Sequence, residues 1–240
     1  MNNHASPGLF RTMQVMASGA YNIMSSNTEH YLTTGLQMGI IYKSFNQADY
    51  TFSEQYDSNS GTFDQTLDDG ENFSKMSMVK FDAAIGIHYK YLARHEKYHP
   101  YGSFSIQHLT KPNESFTSTK SKLPMRFNFQ AGCDLDINED LMISPRFLYM
   151  NQAKAWEANA GFLLYYKIKN STLDALVGCD YRVKDAIIAH IGFKQGKSTF
   201  RFSYDINISG LNGYTNSRGA WEFSLIIVGV KNQPIFKPIF

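Results

Sequence analysis

Residues 123–137 read LPMRFNFQAGCDLDI, with Leu123, Met125, Phe127, Phe129, Ala131, Cys133, Leu135 and Ile137 on the odd positions. After Pro124 the even positions hold Arg126, Asn128, Gln130, Gly132, Asp134 and Asp136. Side chains alternate faces along a β-strand, so this stretch is a long strand with one apolar and one polar side. In a soluble sandwich the apolar side would meet a second sheet; in a membrane barrel it would meet lipid. The rest of the chain decides between the two.

Ten further stretches alternate in the same way: 9–23, 30–44, 77–91, 101–108, 141–151, 156–166, 172–182, 186–194, 198–208 and 220–229. Many reach ten residues or more, whereas an ordinary globular strand averages about five or six and a tilted membrane-spanning strand needs about nine to eleven. Connection lengths sort by parity. The links from odd to even strands are short, reading SSNTE, ARHEKYH, NED, KIKNS and QGK, while 45–75, 109–122 and 209–219 all follow even strands. In an up-and-down meander the long loops therefore share one edge, as in outer-membrane barrels with short periplasmic turns and long extracellular loops. A sandwich with crossover connections has no reason for this sorting. The predicted fold is an all-β antiparallel meander of eleven or twelve strands, forming most of an outer-membrane β-barrel that spans 1–240 as one domain. Lipid is the partner of its apolar face, and the long surface loop is 45–75.

Composition agrees. Of the 240 residues, 43% are hydrophobic, 18% charged and 15% aromatic, including 18 Phe and 15 Tyr. Mean hydropathy is −0.33, and no run of about eighteen apolar residues supplies a transmembrane helix. A net charge of +2 points to no nucleic-acid partner. Eleven strands would leave the C-terminal tail in the periplasm and start the first strand outside. Bacterial single-chain barrels have even strand numbers and periplasmic termini. The start MNNHASPGLFRTMQ also has no secretory signal. Together these predict a chain truncated at its N-terminus, completed by an odd number of strands, with fourteen as the total.

The polar parity carries Arg126, Asp134, Arg146, Glu157, Asp180, Arg182, Arg201, Asp205 and Glu222. Mixed signs facing a lumen suggest an ion-paired interior, either stiffening the wall or facing cargo, rather than a ring of one sign. A last hairpin symmetric about its loop would bring Asp205 near Glu222, with Arg201 or Arg182 as the cation between them. In the 45–75 loop, Asp57, Asn59 and Asp68 fall at the first, third and twelfth spacing of a calcium loop. Gly61 is misplaced for its turn, however, so the default is a solvated surface loop without metal. His95 and His99 have no third zinc ligand nearby. His108, Asn113 and Ser115 have the residue types of a triad, but nothing in the sequence fixes their geometry. Cys133 and Cys179 lie on apolar parity and read as small hydrophobes. No catalytic residue and no cofactor are predicted.

The second half carries, in order, YGSFSIQHLTKP (101–112), LPMRFNFQAG (123–132), ISPRFLYMNQ (143–152), CDYRVKDAI (179–187), FSYDINISGL (202–211) and GAWEFSLI (219–226). This ordered set resembles the PorP/SprF family of outer-membrane proteins of the type IX secretion system in Bacteroidota, over about 9–229. Family members have a signal peptide and further N-terminal strands, which this sequence lacks. The resemblance implies a non-enzymatic role: export or surface attachment of cargo proteins such as gliding adhesins, through their C-terminal sorting domain, beside other secretion-system subunits. A passive outer-membrane porin for small solutes is the alternative, and a soluble sandwich binding module a third.

Overall fold

The computed structural model describes residues 2–5, 10–23, 29–46, 51–64, 66–67, 70, 76–93, 95–210 and 212–229. Of the described residues, 68% are in strands and 4% in helix. Eleven long strands stand where alternation places them: β2 (Phe10–Asn22), β3 (His30–Phe45), β6 (Ser77–Tyr91), β7 (Tyr98–Gln107), β8 (Arg126–Asp136), β9 (Leu141–Gln152), β10 (Ala155–Lys167), β11 (Leu173–Arg182), β12 (Ala186–Gln195), β13 (Ser198–Asn207) and β14 (Arg218–Ile227). A twelfth, β1 (Asn2–Ala5), pairs antiparallel with the start of β2, Asn2 opposite Met13. Two short strands in the long loop, β4 (Tyr56–Asp57) and β5 (Thr62–Phe63), form a hairpin of their own. The only helix among the described residues longer than a single 3-10 turn is α1 (Asn212–Thr215). No helix there is long and apolar enough to cross a membrane.

The main sheet follows chain order, β1-β2-β3-β6-β7-β8-β9-β10-β11-β12-β13-β14, with no crossover. Alternate connections of such a meander share an edge, so the long connections after β3, β7 and β13 do share one. The extra strand is short: β1 runs only along Phe10–Met13, the part of β2 nearest the long-loop edge, and goes no further toward the short turns. Four polar-rich residues carry no alternation to reveal a strand; the exposed edge of β2 pairs them.

Contacts divide the chain into two compact units. In the first (Met1–Tyr89, Ser103–Phe129, Met150–Trp156), β2 and β3 pair without a slip from Phe10 opposite Phe45 to Asn22 opposite Thr33. Burial there is inverted relative to a soluble protein. On β6, Val79 and Phe81 are exposed at 60% and 55%, while Asp82 between its neighbours is 3% exposed. Leu36, Met38 and Ile40 on β3 are exposed, and Ile41 is buried. From Val79 to Tyr89 the apolar side of β6 runs ten residue steps, about 33 Å at about 3.3 Å each. A tilt of about 40° converts this to about 25 Å of height, the apolar band of an outer-membrane barrel. The second unit (Lys90–Gly102, Gln130–Tyr149, Glu157–Phe240) repeats the inversion: Val177, Ile191 and Phe202 are exposed, and Asp180, His190 and Ser203 are buried. An exposed apolar face opposite a buried polar one fits lipid outside and a polar interior.

Candidate functional site

Register builds the site in the second unit. Antiparallel pairing lines up Gly161, Asp180, Ile188 and Asp205 in one row across β10–β13. Arg146 on β9 reaches over β10 to Asp180 on β11, with Nε donating to Oδ1 at 3.0 Å and Nη2 to Oδ2 at 2.5 Å. Gly161 makes this crossing possible, because a Cβ there would meet Asp180 Oδ1 and the Cys179 carbonyl oxygen. His190 on β12 closes the group through Nε2, 2.8 Å from Asp180 Oδ2. Asp180 is 5% exposed, and so buried a carboxylate is stable only with partners of this kind.

A second glycine gap lies alongside. Tyr101 on β7 lies over Gly132 on β8, where a Cβ would meet its ring. Lys90 sits 5.8 Å from the centroid of that ring and donates to Asp134 at 3.1 Å. Ser144 donates to the other oxygen of Asp134 at 2.7 Å. His99 and Asp136 are 3.4 Å apart. Nearer the long-loop edge, Arg182 serves three carboxylates: Glu157 at 3.5 Å, Asp185 at 3.0 Å and Asp205 at 3.2 Å.

The first unit holds its own polar contacts. His108 Nδ1 bonds Asp82 Oδ2 at 2.6 Å, and Thr110 donates to Oδ1 of the same carboxylate at 3.2 Å. His108 holds a left-handed φ of 58°, fixed further by the Leu109 N–H donating to the Ala83 carbonyl at 3.0 Å. The loop that follows β7 docks on β3 and β6: Lys43 pairs with Glu114 at 2.6 Å, and Phe116 packs edge-on against Phe45, centroids 4.8 Å apart, beside Met78.

In the 45–75 loop, Tyr56 and Phe63 meet edge to face across the β4–β5 hairpin, centroids 5.4 Å apart. Asp57 accepts the Asn59 N–H at 2.9 Å, and Asp64 accepts both the N–H and the hydroxyl of Thr66. These bonds hold both carboxyls below their usual range.

The family model for the type IX secretion system membrane protein PorP/SprF matches residues 1–227. The chain belongs to the PorP/SprF family. Among curated proteins none matches it. As a PorP/SprF protein it is a membrane component of the type IX secretion system, and its all-β, helix-poor architecture fits the outer membrane. The family is one of secretion-system membrane proteins rather than a known enzyme family.

In this PorP/SprF sheet, the sequence-predicted polar residues fall into three groups. Arg146, Asp180, Arg182, Asp205, Asp134 and Glu157 meet in ion pairs. Arg126 points instead at the Met150 sulfur, its Nη2 2.8 Å away. Arg201 and Glu222 form no ion pair among the described residues. Asp205 and Glu222 are not directly opposite: pairing sets Glu222 against Ser203, diagonal to Arg201 on one side and Asp205 on the other, and Asp205 bonds Arg182 rather than sharing a cation with Glu222. Of the calcium spacing, Asp57 and Asn59 share the turn just described, and Asp68 lies outside the described residues. Ser115 bonds to Thr117 and Asn113 accepts the Ser121 N–H, whereas His108 bonds Asp82. Sequence reasoning passed over Asp82, His190, Lys90 and Lys43 as partners. Glycines on the polar parity, Gly132 and Gly161, were the available signal that longer side chains cross there.

Proposed function

We propose that this protein works in the outer membrane to export cargo proteins or attach them to the cell surface, gliding adhesins among them, by engaging their C-terminal sorting domain. The observation that carries the reading is the PorP/SprF match over residues 1–227. The inverted burial supports it: a wall apolar outside and ion-paired inside suits a membrane component that presents a polar surface to polypeptide. Other secretion-system subunits and outer-membrane lipid are its partners, and the end of β14 faces the periplasm with the short turns. Deleting the gene and comparing surface proteomes tests this. The expected result is loss of a defined set of surface proteins, restored by the wild-type gene. An unchanged surface proteome, together with stable open channels from the full protein in planar bilayers, would instead establish a porin.

A further inference from the structure

One row across the second unit stands apart from the ion pairs. Pairing sets Tyr165, Leu176, Gly192 and Arg201 side by side on β10–β13, with Ser224 next on β14. Leu176 is 2% exposed, and Gly192 puts no side chain beside Arg201. Tyr165 lies within electrostatic reach of both Arg146 and Arg201. Its phenol makes no hydrogen bond among the described residues. Arg201 Nε is buried and likewise has no hydrogen-bond partner there.

Nearby carboxylates are committed elsewhere. Asp180 is held by Arg146 and His190, Glu157 and Asp205 by Arg182, and Asp134, which is within electrostatic reach of Tyr165, by Lys90 and Ser144. Glu222 is diagonal to Arg201, opposite Ser203, and exposed. Arg201 is half-buried, and its buried Nε without an acceptor is a costly unmet donor beside a positive charge, so this position is matched to an anion that the described residues do not supply. The planar fork of Arg fits a carboxylate through two parallel N–H bonds, and a tyrosine hydroxyl adds a third donor. Arg201, without an ion pair among the described residues, suits one negative charge; a phosphate would ask for a second cation, and Arg146 is already neutralised by Asp180.

We propose that Arg201 and Tyr165 form a carboxylate-binding site on the polar face of β10–β13, taking an Asp, Glu or terminal carboxylate of a polypeptide passing along the wall. This site rests on the cargo-handling reading for its ligand and deepens it, because it names the chemistry by which the wall would hold an extended acidic segment.

The test uses the full chain in detergent micelles and two labelled, end-capped tetrapeptides, Gly-Glu-Glu-Gly and Gly-Gln-Gln-Gly. The wild type is expected to bind the glutamate peptide at least about ten-fold more tightly. Arg201→Gln should abolish that preference, Arg201→Lys should retain part of it, and Tyr165→Phe should weaken it a few-fold, with heat-modifiable gel mobility confirming that each variant is folded. Acetate competing as well as the glutamate peptide, carboxylate for carboxylate, would assign the same site to free carboxylic acids. Equal binding of both peptides by wild type, or an undiminished preference in Arg201→Gln, overturns the site. So does finding that Arg201→Gln and Glu222→Gln lower the unfolding midpoint equally and non-additively, since Glu222 would then be the partner. A gene deletion that leaves surface proteins unchanged while the peptide preference persists would defeat the cargo reading and leave the site standing.

Discussion

Replacing Gly161 with alanine isolates the crossing of Arg146 over β10. A methyl group at this position meets Asp180 Oδ1 and the Cys179 carbonyl, and comes within 2.6 Å of Asp180 Cα. Two of these three obstacles are backbone atoms, so a rotamer change alone does not relieve the overlap. The carboxylate must swing off both nitrogens of Arg146, leaving a charge that is 7% exposed at its side chain without its main partner. Breaking a buried pair in this way costs about 3–5 kcal/mol. Alanine returns about 0.5–1 kcal/mol over glycine in a strand interior, so the net loss is about 2–4 kcal/mol. Gly35 on β3 is the control: its added Cβ meets only the Gly19 carbonyl, at 3.7 Å, an ordinary contact. Gly35→Ala should then be neutral or stabilising by up to about 1 kcal/mol. Trp156 and Trp221 report unfolding by urea in phospholipid micelles. Gly161→Ala and Gly35→Ala shifting stability by the same amount, within about 0.5 kcal/mol, would refute the bridging role of the gap. Adding Asp180→Asn to Gly161→Ala should leave little further loss, because the two changes remove one interaction.

Three other outcomes follow from the same geometry. Arg146→Ala alone should cost about 3–5 kcal/mol, whereas Arg146→Met with Asp180→Leu should recover most of it; a double variant as unstable as the single would contradict the ion-pair account. Ile85→Arg, midway along the exposed side of β6, should destabilise vesicle-folded protein by about 2–4 kcal/mol and Val79→Arg, near the strand end, by about 0–1, so equal costs would remove the lipid assignment of that face. In the 45–75 loop, Asp57 titrates below its ordinary 3.8, so its support for the β4–β5 hairpin is complete above that pH and is lost as pH falls further through the lowered value. Amide resonances of Asn59 and Ser60 should therefore hold steady from pH 7 to about 5 and move only in stronger acid.

Alternation alone located all eleven long strands, because a sheet apolar on one side and polar on the other writes a period of two into ten or more consecutive residues. β1 escaped, since Asn2–Ala5 has no such period and is ordered by the backbone of β2. The direction in which Arg146, Asp180, Arg182 and Asp205 face was legible for the same reason. Their pairing was not. It depends on register, which one extra residue near Gly219 changes at the last hairpin, and on glycines that let a side chain meet a partner two strands away. Asp82 and His108, separated by 26 residues, were invisible as a pair because His108 lies beyond the regular part of β7.

Side chains that vault a neighbouring strand change how such a wall comes apart under load. A plain meander pulled from one end yields hairpin by hairpin, since each strand is zipped only to the next. Here Arg146 ties β9 to β11 over the top of β10, so the middle strand is bracketed and cannot leave while the tie holds. Arg182 ties β11 to β13 over β12 in the same way. Pulled mechanically from its C-terminal end, the sheet should therefore release β14 first and then resist, with β9–β13 coming away as one block once the two arginine ties give.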